Sequence, residues 1–114
     1  MSILVVGLNY KTAPIEAREK LSFSPAKVVS GLAELKEKYK IPESVILSTC
    51  NRVEIYGAVN KVEQGVSDIK RFLSEFHKIP TAEFEKYLYV FSGENAVKHL
   101  LKVTASLDSM VVGE

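Results

Sequence analysis

The stretch 45–59, VILSTCNRVEIYGAV, limits the possible folds more than any other part of the chain. Two strand-like apolar runs, Val45–Leu47 and Val53–Val59, are separated only by Ser48-Thr49-Cys50-Asn51-Arg52. A connection this short joins antiparallel strands, and Asn51 within it favours a turn. Upstream, Ile3 to Leu8 is a continuous apolar run of the kind found in a buried central strand. Asn9 to Pro14 breaks that pattern, and Ile15 to Lys20 reads as a short helix. Ser24-Pro25 has the N-cap-then-N1 form of a helix start. Val28, Val29, Leu32, Leu35 and Tyr39 follow at helical spacing until Ile41-Pro42.

Downstream, Val62, Val66, Ile69, Leu73 and Phe76 predict an amphipathic helix to about Lys78, ended by Pro80. Lys86 to Phe91 is expected to be a strand, with Ser92 capping a last helix that carries Ala96, Val97, Leu100, Leu101, Val103 and Thr104. The order β-α-α-β-β-α-β-α reduces to β-α-β-β-α-β once the short second element and the final helix are removed. The expected fold is α+β: a ferredoxin-like antiparallel sheet with its helices on one face, an extra short helix after the first strand and a C-terminal helix.

Composition bounds the function classes. A length of 114 residues suits one domain with one core, and 15 basic against 14 acidic residues give a net charge of +1. That balance argues against a dedicated nucleic-acid-binding module, which concentrates basic residues. The single cysteine cannot form an internal disulfide, and the two histidines lie far from it, so no metal-ligand cluster is expected. The run after Met1-Ser2 lacks a basic n-region and reads as a strand, not a signal peptide. No stretch approaches the ~20 apolar residues of a membrane helix. A cytoplasmic location without membrane association is expected. The final Ser109 to Glu114 supplies no polar helix stop, so the chain is expected to continue in a longer protein.

A lone cysteine is ordinarily a small buried hydrophobe. Ser48, Thr49, Asn51 and Arg52 are a poor apolar wall, which places Cys50 at or near the turn, within reach of a guanidinium. A nearby positive charge favours the thiolate, the nucleophilic form, although Arg52 equally fits an arginine that solvates a hairpin. A catalytic cysteine often has a histidine as acid or base. His77 and His99 both fall at the border of an apolar helix face, where a half-exposed helical histidine is the ordinary reading. Periodicity does not choose between them.

Three separated segments carry a family resemblance: Val6-Gly7-Leu8-Asn9-Tyr10-Lys11-Thr12-Ala13-Pro14, Ser48-Thr49-Cys50-Asn51-Arg52-Val53-Glu54-Ile55-Tyr56 and Ser106-Leu107-Asp108-Ser109-Met110-Val111-Val112-Gly113-Glu114. In that order they resemble glutamyl-tRNA reductase, over essentially the whole chain. The resemblance implies that 1–114 is the family's catalytic, glutamate-recognition domain. That family reduces glutamyl-tRNA to glutamate-1-semialdehyde with NADPH, in tetrapyrrole (haem) biosynthesis. It implies Cys50 as nucleophile, attacking the aminoacyl ester to give a glutamyl thioester, and His99 rather than His77 as the second catalytic residue. It also implies substrate contacts from Thr49, Asn51, Arg52, Ser109 and Glu114. Arg52 has the planar fork for a carboxylate, and Glu114 has the sign for an ammonium.

By the same resemblance, the NADPH-binding and dimerisation domains are expected outside these residues. The chain itself is expected to bind no cofactor and no metal, to be monomeric, and to be unable to complete the reduction. Glutamyl-tRNA is the expected substrate, the family homodimer and the glutamate-1-semialdehyde aminotransferase are expected partners of the full-length protein, and the sequence itself contains no G-x-G-x-x-G. Two readings from other classes use the same residues: a ferredoxin-like binding or regulatory module with a non-catalytic cysteine, and a thiol redox sensor.

Overall fold

The structure is a computed structural model that describes residues 1–113, with side chains through residue 106. Strand β1 (Ser2–Asn9) leads through helices α1 (Ile15–Lys20) and α2 (Pro25–Glu37) to β2 (Ser44–Ser48) and β3 (Arg52–Val59). Helix α3 (Val62–His77), two 3-10 turns, β4 (Tyr89–Ser92) and α4 (Glu94–Gly113) follow. The sheet order is β2-β3-β1-β4, with every neighbouring pair antiparallel. β1 is therefore inserted between β3 and β4, and β3 between β1 and β2.

The helix starts follow the local chemistry. The Ser24 hydroxyl accepts the Lys27 N–H at 3.3 Å, with Pro25 in the first turn. Helix α3 turns Ile69, Phe72 and Leu73 inward and ends at Lys78 in the left-handed conformation (φ 59°). Together α2 and α3 cover the sheet face that presents Leu4, Val6, Leu8, Ile46, Val53 and Ile55, and these residues form the main core.

Three expectations need correcting. The helices do not lie on one face. Val5, Tyr56 and Ala96, with Leu47 and Phe91 against them, form a second cluster on the opposite face, where α4 packs. The continuous apolar run of β1 is the sequence counterpart of this arrangement, since a strand covered on both faces loses its alternation. The fourth strand is shorter than Lys86–Phe91. Glu85–Tyr87 forms a 3-10 turn, because Phe84, Tyr87 and Leu88 all turn into the main core instead of alternating. Ser92 ends β4 and does not cap α4. The cap position falls to Gly93, whose φ of 60° suits glycine and whose carbonyl accepts the N–H groups of Ala96 and Val97.

His77 proves to be a packing residue. Its ring lies 4.5 Å from Phe23 and 5.3 Å from Phe76, edge-on to both, and its buried Nε2 has no hydrogen-bond partner among the described residues. Burial, with the Lys27 charge adding to it, lowers its pKa from 6.5 to about 4. Between those values the unfolded chain takes up a proton that the folded chain refuses, so stability falls as pH drops from 6.5 towards 4. The ring is partly exposed, and after allowance for solvent screening the expected loss is about 1–2 kcal/mol. Urea unfolding across pH 4–7 should show this slope in the wild type and a smaller one in His77→Phe. Identical slopes would contradict the assignment.

Candidate active site

The connection between β2 and β3 is held by its own side chain. Thr49 N–H donates to the Arg52 carbonyl at 2.8 Å, and the N–H groups of Asn51 and Arg52 both donate to Thr49 Oγ1 at 3.2 Å. The hydroxyl oxygen thus replaces a backbone acceptor, and the hydroxyl hydrogen stays available to a ligand. With the turn fixed in this way, Cys50 is exposed at its tip.

A cleft opens beside it, lined by Ile15, Arg18, Phe23, Ser48, Thr49 and Cys50 among others. Arg18, from α1, was not singled out by the sequence. It donates from Nε to the Cys50 carbonyl at 3.3 Å and from a terminal nitrogen to the Ala13 carbonyl at 2.7 Å. It ties the segment before α1 to the turn and brings a permanent cation to the cleft wall. The nearest sequence signal is its place in the last turn of α1, where a basic residue suits the helix dipole.

Arg52 and His99 are brought together elsewhere, by Glu54. In β3, Arg52, Glu54 and Tyr56 alternate onto the face that α4 covers, and Glu54 is fully buried (0% exposed). A buried carboxylate has to be compensated by donors. Arg52 supplies one at 3.4 Å, Tyr56 Oη donates at 2.8 Å, Tyr89 Oη donates at 2.5 Å, and His99 Nε2 completes the set. Burial first, and then the bond to Glu54, hold both phenols above their ordinary pKa. The His99 ring also lies 5.3 Å from Tyr89 and 4.8 Å from Phe91.

Gly7 makes room for this carboxylate. It pairs with Glu54 across β1 and β3, and a Cβ there would come within 2.5 Å of the Val53 carbonyl oxygen and 2.8 Å of Glu54 Cγ. The chain therefore contains a thiol with Thr49 and Arg18 on one cleft, and an arginine and a histidine anchored to one buried carboxylate. Among the described residues no hydrogen bond joins the Cys50 thiol to Arg52 or His99. Asn51 is half-buried beside them. Ser109, by its side chain, and Glu114 lie outside the described residues.

Among the described residues no group of three His, Cys, Asp or Glu side chains could hold a metal ion. Among the described residues no glycine-rich turn links a strand to a helix, the sheet is antiparallel, and α4 opens with Gly93-Glu94, an acidic residue where a phosphate would need cations. These residues do not fit a dinucleotide pyrophosphate. No described helix is long and apolar enough to cross a membrane.

Comparison with known proteins places the chain in a family. Residues 6–114 match the family model described as the N-terminal domain of glutamyl-tRNA(Glu) reductase. The glutamyl-tRNA reductase of Pelobacter propionicus is 51% identical over 114 residues, covering 100% of this chain and 26% of that protein. That of Thermodesulfovibrio yellowstonii is 50% identical over 121 residues, covering 100% of this chain and 28% of that protein. The solved structure of the glutamyl-tRNA reductase from Methanopyrus kandleri superposes with a TM-score of 0.65 at 30% identity, over 98% of this chain and 24% of that one. The chain thus spans about a quarter of the length of the relatives it matches.

Proposed function

The chain belongs to the glutamyl-tRNA reductase family as its N-terminal domain, and on that premise we propose that it carries the step in which glutamate leaves the tRNA for a cysteine. Cys50 sulfur attacks the carbonyl carbon of the ester between glutamate and the tRNA 3′ end. A C–S bond forms, the C–O bond breaks, and the thiol's proton ends on the released 3′-oxygen, so the products are a glutamyl thioester and free tRNA. The observation that carries this reading is an exposed thiol at a turn braced by Thr49, on a cleft whose wall carries Arg18.

The remaining roles follow from the charges. Glutamate bound through its α-carbonyl offers a γ-carboxylate and an ammonium. Arg52, with one N–H held by Glu54, keeps other donors for the carboxylate, and Thr49 and Asn51 add neutral donors. His99, held at Nε2, keeps Nδ1 for a proton in transit to the departing oxygen. Ser109 and Glu114 complete the grip, with Glu114 for the ammonium. Glutamyl-tRNA is accordingly the proposed substrate. The strand order β2-β3-β1-β4 supports a ferredoxin-like domain.

Residues 1–114 are proposed as a single catalytic domain. Reduction by NADPH, dimerisation and any handover to the aminotransferase are assigned to parts of the full-length protein outside this chain. The protein is proposed to act in the cytoplasm, in tetrapyrrole synthesis.

Occupancy of the site is directly measurable. In the full-length protein without NADPH, glutamyl-tRNA at ten times its Kd should slow iodoacetamide labelling of Cys50 by about tenfold or more, first through occupancy and then because the thioester blocks the sulfur. An unchanged labelling rate would contradict the proposal.

A further inference from the structure

Beside the Cys50 turn stands an aromatic side chain for which the fold has no use. Tyr10 is 53% exposed and belongs to neither core cluster. Its backbone is nevertheless closely held. The Tyr10 N–H donates to the Asn51 carbonyl at 2.8 Å, one rung beyond the Asn9–Arg52 pair of the β1–β3 ladder. The residue after Asn9 is further fixed by Lys11 N–H donating to Asn9 Oδ1 at 2.9 Å. Asn9 N–H donates to Thr12 Oγ1 at 3.0 Å, and Thr12 N–H returns to the Asn9 carbonyl at 3.0 Å. Lys11 Nζ lies 5.8 Å from the Tyr10 ring centroid. The backbone carrying this exposed ring, with a cation beside it, is thus fixed across the ladder from Asn51, the neighbour of the nucleophile.

We propose that Tyr10 and Lys11 form the docking site for the terminal nucleotide of the substrate, Tyr10 stacking on the adenine and Lys11 meeting the adjoining phosphate. The inference rests on the assignment of Cys50 as the residue that attacks the aminoacyl ester. In such a substrate the ester is carried by the ribose of the terminal adenosine, so the base lies one sugar away from the carbon that Cys50 attacks. A base in that position needs a flat apolar partner that is sequence-tolerant and already ordered. Holding the backbone beneath the ring before binding leaves only side-chain torsions to be ordered on stacking. The phosphate that follows needs a mobile cation, which a lysine supplies.

The test needs no chemistry at Cys50. In the full-length protein, the Kd is measured for uncharged tRNA with its 3′-terminal adenosine and for the same tRNA lacking it. The wild type is expected to favour the complete tRNA by roughly 5- to 150-fold, the range that base–aromatic stacking supports. Tyr10→Ala should lose most of that preference, keeping only the share that Lys11 draws from the adjoining phosphate, while binding the shortened tRNA as the wild type does. Tyr10→Phe should restore the preference. Lys11→Ala should reduce the salt slope of tRNA binding by about one.

A wild type without preference, a Tyr10→Ala variant that keeps it, or a Tyr10→Ala variant that also loses affinity for the shortened tRNA would each overturn the site. Failure of the Cys50 assignment would leave these binding constants intact and show instead in the alkylation experiment.

Discussion

Cys50→Ser in the full-length protein is expected to lower kcat by a factor on the order of 10³ or more while leaving the fold intact. The two halves of this expectation have separate grounds. Serine places a hydroxyl with a far higher pKa where the reaction needs an ionised nucleophile, and loss of a covalent nucleophile costs several orders of magnitude. Stability should barely change, because Cys50 is exposed and its contribution to the turn is a backbone carbonyl held by Arg18. Substitutions at such positions usually stay within about 0.5 kcal/mol. Steady-state turnover and urea denaturation, read on the same preparation, check both. A tenfold loss or less would assign the cysteine to a supporting role, and a large drop in stability would make the kinetic result uninformative about chemistry.

The second large effect is expected at Glu54, and it is structural first. The carboxylate receives Arg52, Tyr56, Tyr89 and His99 at a fully buried position. Glu54→Ala removes the acceptor and leaves two phenols, an imidazole and a guanidinium without their partner. Breaking a buried charged pair from one side costs about 3–5 kcal/mol, a large part of the stability of a typical domain at about 5–15 kcal/mol. Urea unfolding measures it directly. A loss below about 1 kcal/mol would mean that water replaces the carboxylate and that the network is not what holds α4 to the sheet. Activity should fall as well, since Arg52 and His99 take their positions from the same group.

Much of this arrangement was legible in the chain. The β2–β3 turn, the exposed cysteine, the N-cap at Ser24 and the end of α3 all follow from local chemistry, which short-range sequence records. Glu54 was not legible for the opposite reason. In Val53-Glu54-Ile55-Tyr56 the alternation reads Glu54 as a solvent-facing position, and only α4 packing from forty residues downstream turns that face inward. The signals were present but separate: an unbroken apolar β1, a glycine at position 7, and tyrosines at 56 and 89 able to donate. Arg18 was hidden in the same way. On α1 it reads as an ordinary basic residue near a helix end, and its contact with the Cys50 carbonyl spans 32 positions. Of the two histidines that periodicity could not separate, the structure gives His77 to aromatic packing and His99 to the buried carboxylate.

Transfer of the glutamyl group from the tRNA to Cys50 adds a mass that can be weighed on the intact protein. The full-length protein is incubated with glutamyl-tRNA in the absence of NADPH, quenched in acid and weighed. The expected result is a glutamyl adduct on the wild type that hydroxylamine removes, and none on Cys50→Ser. A wild type without the adduct, or a Cys50→Ser variant that still carries it, would exclude Cys50 as the acceptor of the glutamyl group.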